Sequence, residues 1–228
     1  MVTKTLMKNL AKMGLMLITF STIELILSSF ATAATIYLQD NFDTEGTGIP
    51  QLNYGNFANW NVVNGSVDLI GKGLSSTSFD FLPSNGLYVD MDGSTYKAGK
   101  LESKTTFIFN PGEIINLSFK LAGTQRIDNK NNSVIVSLGS LFTETFSLPA
   151  SQGFQSFTRN VTITSASNGK LVFEGTGNDN IGMLLDDVKL SVTSPNTTLV
   201  PEPGSMLGLL TVGAFGMTSL LKYRQRHK

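Results

Sequence analysis

The stretch INLSFKLAG, residues 115–123, alternates apolar and polar side chains almost to its end. Successive side chains of a β-strand point to opposite faces of its sheet, so this alternation predicts a strand with one buried face. SVIVSLG at 133–139 and NVTITS at 160–165 repeat the pattern. Four residues of the first stretch are predicted to face the core: Ile115, Leu117, Phe119 and Leu121.

Similar short runs rich in Val, Ile, Phe and Thr extend over residues 35–193, with Gly, Asn, Asp and Pro between them. No amphipathic helical pattern of useful length interrupts them. Many short strands with close turns are typical of an antiparallel sandwich or barrel. We therefore predict an all-β exported domain at 35–193, folded as an antiparallel two-sheet jelly-roll sandwich. About ten strands are expected, near 35–41, 60–70, 86–91, 100–109, 113–122, 133–139, 142–148, 154–164, 169–175 and 181–193.

Residues 1–34 have the organisation of a signal peptide. Three lysines precede an apolar segment at 14–27, and the small-residue pattern Ala31-Thr32-Ala33 follows it. Glu24 departs from the pattern, because a carboxylate inside such an apolar segment is costly. We predict a signal helix that directs export through the Sec machinery and is removed by signal peptidase; the alternative is an uncleaved anchor.

Residues 204–221 contain no charged side chain, and four cations follow at once. This length is near the lower limit for a helix that crosses a bilayer, and cations beside a span favour the cytoplasmic side. The pattern predicts a C-terminal transmembrane helix with a basic tail at 204–228. A polar linker with three prolines, residues 194–203, joins it to the domain. The four flanking cations are Lys222, Arg224, Arg226 and Lys228.

Composition excludes several functional classes for the exported part. Residues 35–201 contain 15 acidic and 10 basic side chains, a formal charge of −5, without a basic stripe. Nucleic acid is therefore not an expected partner, since phosphate binding depends on clustered Lys and Arg. The chain has no cysteine, and its one histidine is His227. Their absence from the domain excludes Cys–His and Ser–His–Asp catalysis there, as well as a zinc site built from Cys or His.

Pro201-Glu202-Pro203, the apolar segment after it and the terminal basic cluster together resemble a PEP-CTERM sorting signal at residues 200–228. The resemblance implies a transient inner-membrane anchor that an exosortase-type membrane protease processes near the tripeptide. The protein would then reach the envelope surface or the medium. The three motif residues would be a recognition site for another enzyme, with no chemistry of their own.

Three further stretches resemble the galactose-binding-like jelly-roll domains that many PEP-CTERM proteins contain. They are GLYVDMDGSTYKAGKLES at 86–103, NLSFKLAGTQR at 116–126 and DNIGMLLDDVKL at 179–190. The resemblance is diffuse, and it implies a fold without naming a ligand, since one fold hosts many functions.

Acidic residues near the predicted first and last strands raise the question of a metal. Strict alternation places Asp186 on the inward face with Val188, Asp187 on the opposite face, and Asp40 in phase with Leu38. An inward carboxylate is expensive unless it is paired or coordinated. If the two strands are neighbours, as in related jelly rolls, four carboxylates would converge on calcium, which takes six to eight oxygens. These are Asp40, Asp43, Asp186 and Asp187; the alternative is that Asp40 and Asp186 cap turns or meet a Lys or Arg.

The stretch YVDMDGS, residues 88–94, begins like a calcium loop. It lacks the third acidic ligand and the distal Glu of an EF-hand. We interpret it as a strand that leads into a turn at Asp92-Gly93.

Glycan binding would require an aromatic face and polar hydrogen-bonding partners. The candidates are Trp60, Tyr54, Tyr88 and Tyr96 as platforms and Arg126 as a polar partner. The alternative for Trp60 is a place in the core, because buried aromatics carry much of a domain's burial energy. A glycosidase would need two carboxylates at a fixed separation. No stretch marks such a pair, and Glu102, Glu113, Glu144 and Glu174 have the pattern of surface residues.

The sequence thus predicts an exported, non-catalytic surface or matrix protein that associates with exopolysaccharide or envelope glycans, with calcium as a candidate structural ion. A structural or adhesive module with a protein partner is the alternative, and a glycan-active hydrolase is the least favoured.

Overall fold

The computed structural model describes residues 34–72, 79–126 and 132–194. The predicted signal peptide up to residue 33, the motif Pro201-Glu202-Pro203 and the predicted span with its basic tail at 204–228 lie outside these ranges. Within the ranges, no helix has both the length and the apolar character needed to cross a membrane.

The regular structure of the described chain is β, apart from one short 3₁₀ segment at Glu45–Gly48. The strands are β1 (Ala34–Asp40), β2 (Trp60–Asn64), β3 (Asp68–Gly71), β4 (Leu87–Asp90), β5 (Lys100–Ser103), β6 (Phe107–Phe109), β7 (Ile114–Ala122), β8 (Ser133–Leu138), β9 (Phe142–Phe146), β10 (Gln155–Thr162), β11 (Ser167–Gly169), β12 (Leu171–Thr176) and β13 (Leu184–Thr193).

Two antiparallel sheets form the sandwich. One has the order β10-β7-β13-β4-β3, and β1 also pairs with β13; the other has the order β2-β5-β12-β8-β9. Strands β6 and β11 form a separate small pair. The predicted all-β fold, an antiparallel two-sheet jelly-roll sandwich, is confirmed. Strand β1 begins where β13 ends, since Ala34 lies opposite Thr193.

The core between the sheets is apolar and rich in phenylalanine. The four alternating residues of β7, which are predicted to face inward, are all buried. Phe119 of β7 meets Phe173 of β12 edge to face, with ring centroids 5.3 Å apart, and this contact joins the two sheets. Fully burying one such side chain stabilises a fold by about 1.5–3 kcal/mol.

Two predicted strands divide in the structure. The run 60–70 becomes β2 and β3, which belong to different sheets, and the run 100–109 becomes β5 and β6. The first division occurs at Gly65, whose φ of +58° lies in the left-handed region that favours glycine. A side chain at Gly65 would also collide with the backbone carbonyl of Ala98. The chain therefore changes sheets at a point that only glycine can occupy without strain.

A β-bulge in β13 corrects the predicted orientation of Asp186. The register of β13 against β7 shifts between Asp186 and Lys189, and Asp187 has a φ of +49°. The extra residue reverses the alternation, so that Leu185 and Val188 both face the main core. Asp186 does not share the face of Val188; it lies opposite Lys120 of β7.

Candidate functional site

Asp40 points inward, as the sequence predicts, and protein donors satisfy its carboxylate. Oδ1 accepts a hydrogen bond from the backbone N–H of Phe42 at 2.9 Å. Oδ2 accepts from Asn59 Nδ2 at 3.0 Å and from the indole Nε1 of Trp60 at 2.9 Å. Three donors on this one carboxylate give Asp40 a structural role in the interior.

Asp43 joins the loop after β1 to the start of β4. Its carboxylate accepts hydrogen bonds from the backbone N–H of Leu87 at 2.8 Å and from Asn41 Nδ2 at 2.9 Å. Asp187 is exposed and forms an ion pair with Lys120, whose Nζ lies 2.6 Å from Oδ2.

Asp186 is buried beside Asp187 and accepts the backbone N–H of that residue at 2.7 Å. Burial, reinforced by the charge of Asp187, raises the pKa of Asp186 to about 7. Among the residues that the structure describes, no group of three or more acidic or histidine side chains is arranged to hold a metal. The four carboxylates of the predicted calcium site are therefore distributed among protein hydrogen bonds and one ion pair.

The five candidate glycan contacts occupy different environments. Tyr54 and Tyr88 are buried in the core, so neither offers a face to a ligand. Trp60 is completely buried, packs edge to face on Phe173 and donates its indole N–H to Asp40, so it cannot stack on a ligand. Arg126 is largely buried and pairs with Asp90, and its guanidinium lies 5.0 Å from the centre of the Phe81 ring. Only Tyr96 is available, and 64% of its surface is exposed.

Three loops hold Tyr96 at the surface. Asp68, which is buried at the start of β3, accepts hydrogen bonds from the backbone N–H of Asn53 at 2.7 Å and from that of Ser94 at 3.1 Å. The hydroxyl of Ser94 adds a third bond at 2.7 Å. Asn180 accepts the backbone N–H of Tyr96 at 2.9 Å. We call residues 91–99 the Tyr96 loop; it is fastened to loops at 49–54 and 177–183.

Beneath the Tyr96 loop lies a buried polar cluster that sequence reasoning missed. Asp90 is almost completely buried, and its Oδ1 accepts the backbone N–H groups of Asp92 and Gly182, each at 3.0 Å. Its Oδ2 pairs with Arg126. Burial raises the pKa of Asp90 to about 8, against the opposing effect of the Arg126 charge. The strand expected near 86–91 is observed at Leu87–Asp90, and the carboxylates of Asp90 and Asp92 point into the molecule.

Asp92 also belongs to this cluster, and it is completely buried. Oδ2 accepts the backbone N–H of Asp179 at 3.1 Å. Oδ1 is buried and has no hydrogen-bond partner in the described part of the chain. Burial raises the pKa of Asp92, and the carboxyl group of Asp179 raises it further. The acidic pair in YVDMDGS is the sequence signal that could have identified this cluster.

The glutamates weighed as glycosidase residues are mostly surface ion-pair partners. Glu102 lies 2.6 Å from Lys170, and Glu174 lies 2.9 Å from Lys100. Glu144 forms a two-point pair with Arg159. Glu113 differs from the expectation: it is buried and accepts hydrogen bonds from both nitrogens of Asn110. It therefore closes a turn before β7.

No family model and no curated protein matches the chain. Among solved structures, an exo-β-1,3-galactanase variant from Phanerochaete chrysosporium in complex with β-1,3-galactotriose matches at 17% identity and a TM-score of 0.35. The match covers 71% of this chain and 30% of that one. A cleaved adhesin domain of Lys-gingipain from Porphyromonas gingivalis matches at 13% identity and a TM-score of 0.39, covering 68% of this chain and 98% of the other.

The CBM22-1 xylan-binding domain of Paenibacillus barcinonensis Xyn10C matches at 12% identity and a TM-score of 0.32, covering 73% of this chain and all of that domain. Likenesses at this level carry no conclusion about a ligand or an activity.

Proposed function

We propose that this protein is an exported, non-catalytic module that binds glycans, with Tyr96 as its stacking platform. Tyr96 is the one aromatic side chain among the described residues that is exposed. An aromatic ring offers a large and rigid apolar face, which suits the flat apolar side of a sugar ring. This exposed ring, on a loop with buried supports, is the observation that carries the proposal.

The backbone at Tyr96 supports a functional role for its position. Its φ of +62° is unusual for a residue with a bulky side chain. Such conformations cost about 1–3 kcal/mol and persist where the surroundings over-determine them, often at ligand sites. Here the hydrogen bonds made by Asn180 and Asp68 fix the loop. The ring is therefore presented outward before a ligand arrives, which reduces the entropy cost of binding.

The loop at 49–54, which carries exposed polar groups, is joined to the Tyr96 loop through Asp68. The backbone N–H groups of Asn53 and Ser94 both donate to Oδ1 of Asp68. One carboxylate therefore links the loop at 49–54 to the Tyr96 loop. Asn53 is exposed, and next to it Leu52 adds apolar surface. Amides and apolar groups on loops held by a rigid scaffold are common features of ligand sites.

The proposal is tested with the full-length protein on immobilised exopolysaccharide and a panel of neutral glycans. Tyr96→Ala is expected to weaken binding about tenfold or more, which corresponds to about 1.4 kcal/mol. Tyr96→Phe keeps the ring and is expected to retain most of the affinity. Ile108→Ala removes another exposed apolar side chain, 68% exposed, and is the matched control.

Wild-type binding that Tyr96→Ala leaves unchanged would contradict the role of Tyr96. A wild-type protein that binds none of these glycans would contradict glycan binding itself and favour an adhesive module with a protein partner.

We further propose that a PEP-CTERM signal at residues 200–228 brings the domain to the envelope through an exosortase-type protease. The sequence pattern supports this proposal. The end of β13 at Thr193 lies opposite the first residue of β1, so the chain enters and leaves the described sandwich at the same end. The loop at 177–183 precedes the other end of β13, about 30 Å away at roughly 3.3 Å per residue. This arrangement would present Tyr96 away from the membrane.

Sorting is tested by replacing Pro201, Glu202 and Pro203 with alanine and expressing the protein in a host that carries an exosortase. The variant is expected to stay uncleaved in the membrane fraction, whereas Pro195→Ala, in the same linker, is expected to be processed normally. Normal processing of the triple variant, measured by intact mass, would overturn the proposal.

A further inference from the structure

Strand β10 lies at the end of the sheet that has the order β10-β7-β13-β4-β3. It pairs with β7 over its whole length, Gln155–Thr162, without a register shift. Within the described ranges, no strand pairs with its other side. A strand in this position presents a row of backbone donors and acceptors to which another strand can add.

The backbone groups at the free edge of β10 belong to every second residue. Ile163, which follows the strand, donates its N–H to the carbonyl of Glu113 and accepts the N–H of Gly112, each at 2.8 Å. Both of its groups therefore face the β7 side, and residues of an antiparallel ladder alternate between the two sides. The four residues that this alternation assigns to the free edge also have exposed side chains. They are Ser156, Thr158, Asn160 and Thr162.

The other edges of the two sheets have features that hinder strand addition. A register shift interrupts β1, and another interrupts β2. β3 has four residues, and Gln51 already bonds both backbone groups of Leu69. β9 has five residues. Short strands, bulges and covering loops are devices by which natural sheets avoid edge-to-edge pairing. β10 has eight residues in unbroken register, no Lys or Pro, and no described loop paired with its edge.

The single charged side chain of β10, Arg159, is directed to the other sheet. Its Nε and Nη2 donate to the carboxylate of Glu144 in β9 at 2.7 and 2.5 Å, and its guanidinium lies 5.1 Å from the centre of the Phe146 ring. Its Nη1 donates to the carbonyl of Thr158 at 2.8 Å. A carbonyl oxygen has two lone pairs, so Thr158 can still accept a hydrogen bond from an added strand. The row of side chains at the free edge is itself uncharged.

We propose that β10 pairs antiparallel with β10 of a second copy of this chain, across a two-fold axis at Thr158. Residues opposite each other in a ladder point to the same face, so such an axis must pass through a residue. An axis at Thr158 places Ser156 opposite Asn160 and Phe157 opposite Arg159. An axis at Arg159 would give a pairing of the same length, but it would place two guanidinium groups opposite each other, which is destabilising.

The chemistry of the edge is self-complementary in this register. On the outer face, hydroxyl and amide side chains lie opposite one another, and such pairs stabilise sheets. On the other face, Arg159 of one copy meets Phe157 of the second copy, and a guanidinium beside an aromatic ring is attracted to it. Phe157 is only half-buried in the single chain, so the pairing also covers apolar surface. The inference does not depend on the glycan proposal.

The pairing determines how the two molecules are oriented. Because the two β10 strands run in opposite directions, the two β13 strands do so as well. Thr193 of each copy then lies at opposite ends of the joined sheet. Under the sorting proposal, this orientation suits released molecules, or molecules on facing surfaces, better than neighbours anchored in one membrane.

Sedimentation velocity of the full-length protein from about 1 μM to about 1 mM, the range of weak complexes, tests the pairing. The wild type is expected to change from monomer to dimer as its concentration rises. Thr158→Lys places two ammonium groups opposite each other at the axis and is expected to weaken self-association tenfold or more. Thr145→Lys is the matched control, because it introduces the same side chain at an exposed position of β9, an edge of the other sheet. It is expected to associate as the wild type does.

Exchange of charge provides a second readout that a folding defect cannot imitate. Thr158→Glu alone is expected to self-associate as weakly as Thr158→Lys alone. An equimolar mixture of the two variants is expected to form dimers again, since opposite charges then face each other at the axis.

A wild type that stays monomeric over this range would overturn the proposal, as would Thr158→Lys that associates as the wild type does. An equal loss in Thr145→Lys would show that added charge, and not the β10 edge, decides association, and would also overturn it. A mixture of Thr158→Lys and Thr158→Glu that remains monomeric would contradict the axis at Thr158 and the proposal with it.

Discussion

At the scale of single residues, Asp40 is a buried carboxylate that holds three donors together. Replacing it with alanine leaves the indole N–H of Trp60, the amide of Asn59 and the backbone N–H of Phe42 without their acceptor. Each buried group left unsatisfied costs about 1–3 kcal/mol. We therefore expect Asp40→Ala to lower the free energy of unfolding by about 2–4 kcal/mol.

Urea unfolding followed by the fluorescence of Trp60, the single tryptophan, measures this change. Asp187→Ala removes an exposed ion pair and is the control, with an expected loss of at most about 1 kcal/mol. Equal losses in the two variants would show that the hydrogen bonds of Asp40 do not matter for stability.

Asp186 makes stability depend on pH. Its pKa of about 7 in the folded chain lies above the value near 3.8 expected in the unfolded chain, so the folded state binds more protons between these values. Stability from this group is therefore greatest below about pH 4 and declines as pH rises to 7. The loss is on the order of a few kcal/mol, since one pKa unit corresponds to about 1.4 kcal/mol.

Comparison of Asp186→Asn with the wild type at pH 5 and pH 8 isolates this contribution. The variant is expected to lose less stability over this range and to be the more stable protein at pH 8. Glu174→Gln, which removes a surface ion pair, is expected to keep the wild-type slope. An unchanged slope in Asp186→Asn would refute the assignment.

For single residues, the sequence predicted whether a side chain is buried better than it predicted which residues that side chain contacts. Asp40 was expected to face inward because it follows Leu38 in phase, and the structure agrees. The indole that satisfies it lies 20 residues away and could not be deduced from alternation. The same limit applies to Trp60 and Arg126, whose partners Phe173 and Asp90 come from distant segments.

At the scale of elements, Gly65 is the point at which the chain passes from one sheet to the other. Its positive φ and its close approach to the carbonyl of Ala98 leave no room for a side chain. Gly65→Ala is expected to destabilise the fold by about 2 kcal/mol or more, because strain at such a position adds to the collision.

Gly55→Ala is the matched control, since nothing lies within 4 Å of a Cβ there. It is expected to change the urea midpoint by far less than Gly65→Ala does. Similar midpoints for the two variants would mean that the backbone at Gly65 relaxes around the added methyl group.

Strand positions followed from the period-two alternation, and the departures have local causes. The strand predicted near 113–122 appears at Ile114–Ala122, because its alternation is nearly unbroken and one face is buried. The bulge at Asp186 and Asp187 could not be found this way, since it changes the phase within a strand whose two ends are both apolar.

At the scale of the whole molecule, Phe119 contacts both sheets. Its ring meets Phe146 and Phe173 of one sheet and Phe157 of the other. Phe119→Ala removes these contacts and leaves a cavity, for which a loss of about 3–5 kcal/mol is expected. That loss is a large part of the 5–15 kcal/mol by which domains are stable.

Thermal unfolding measures this loss, with Ile108→Ala as an exposed apolar control. We expect one cooperative transition at a clearly lower Tm for Phe119→Ala and an unchanged Tm for the control. A Phe119→Ala variant that melts like the wild type would show that the two sheets are held together elsewhere.

The architecture was predictable from the sequence to a greater extent than the candidate site was. Turn residues and alternation are local and define strands, whereas a binding site depends on which loops the fold brings together. Tyr96 was one of several candidate aromatics. Only the fold shows that its side chain is exposed whereas that of Trp60 is buried. The cluster around Asp92 combines the end of β4, Arg126 after β7 and the loop after β12, which are far apart in the chain.

The position of β13 has a mechanical consequence. In a protein held by its C-terminal end, a pulling force enters the sandwich at Thr193 and runs along this strand. β13 pairs with β7 on one side and with β1 and β4 on the other. The load therefore acts in shear on two hydrogen-bond ladders together, instead of opening one ladder bond by bond. Under the proposed function, β13, which runs from the loop that holds Tyr96 to the start of the C-terminal segment, is also the strand suited to resist drag on a bound polymer.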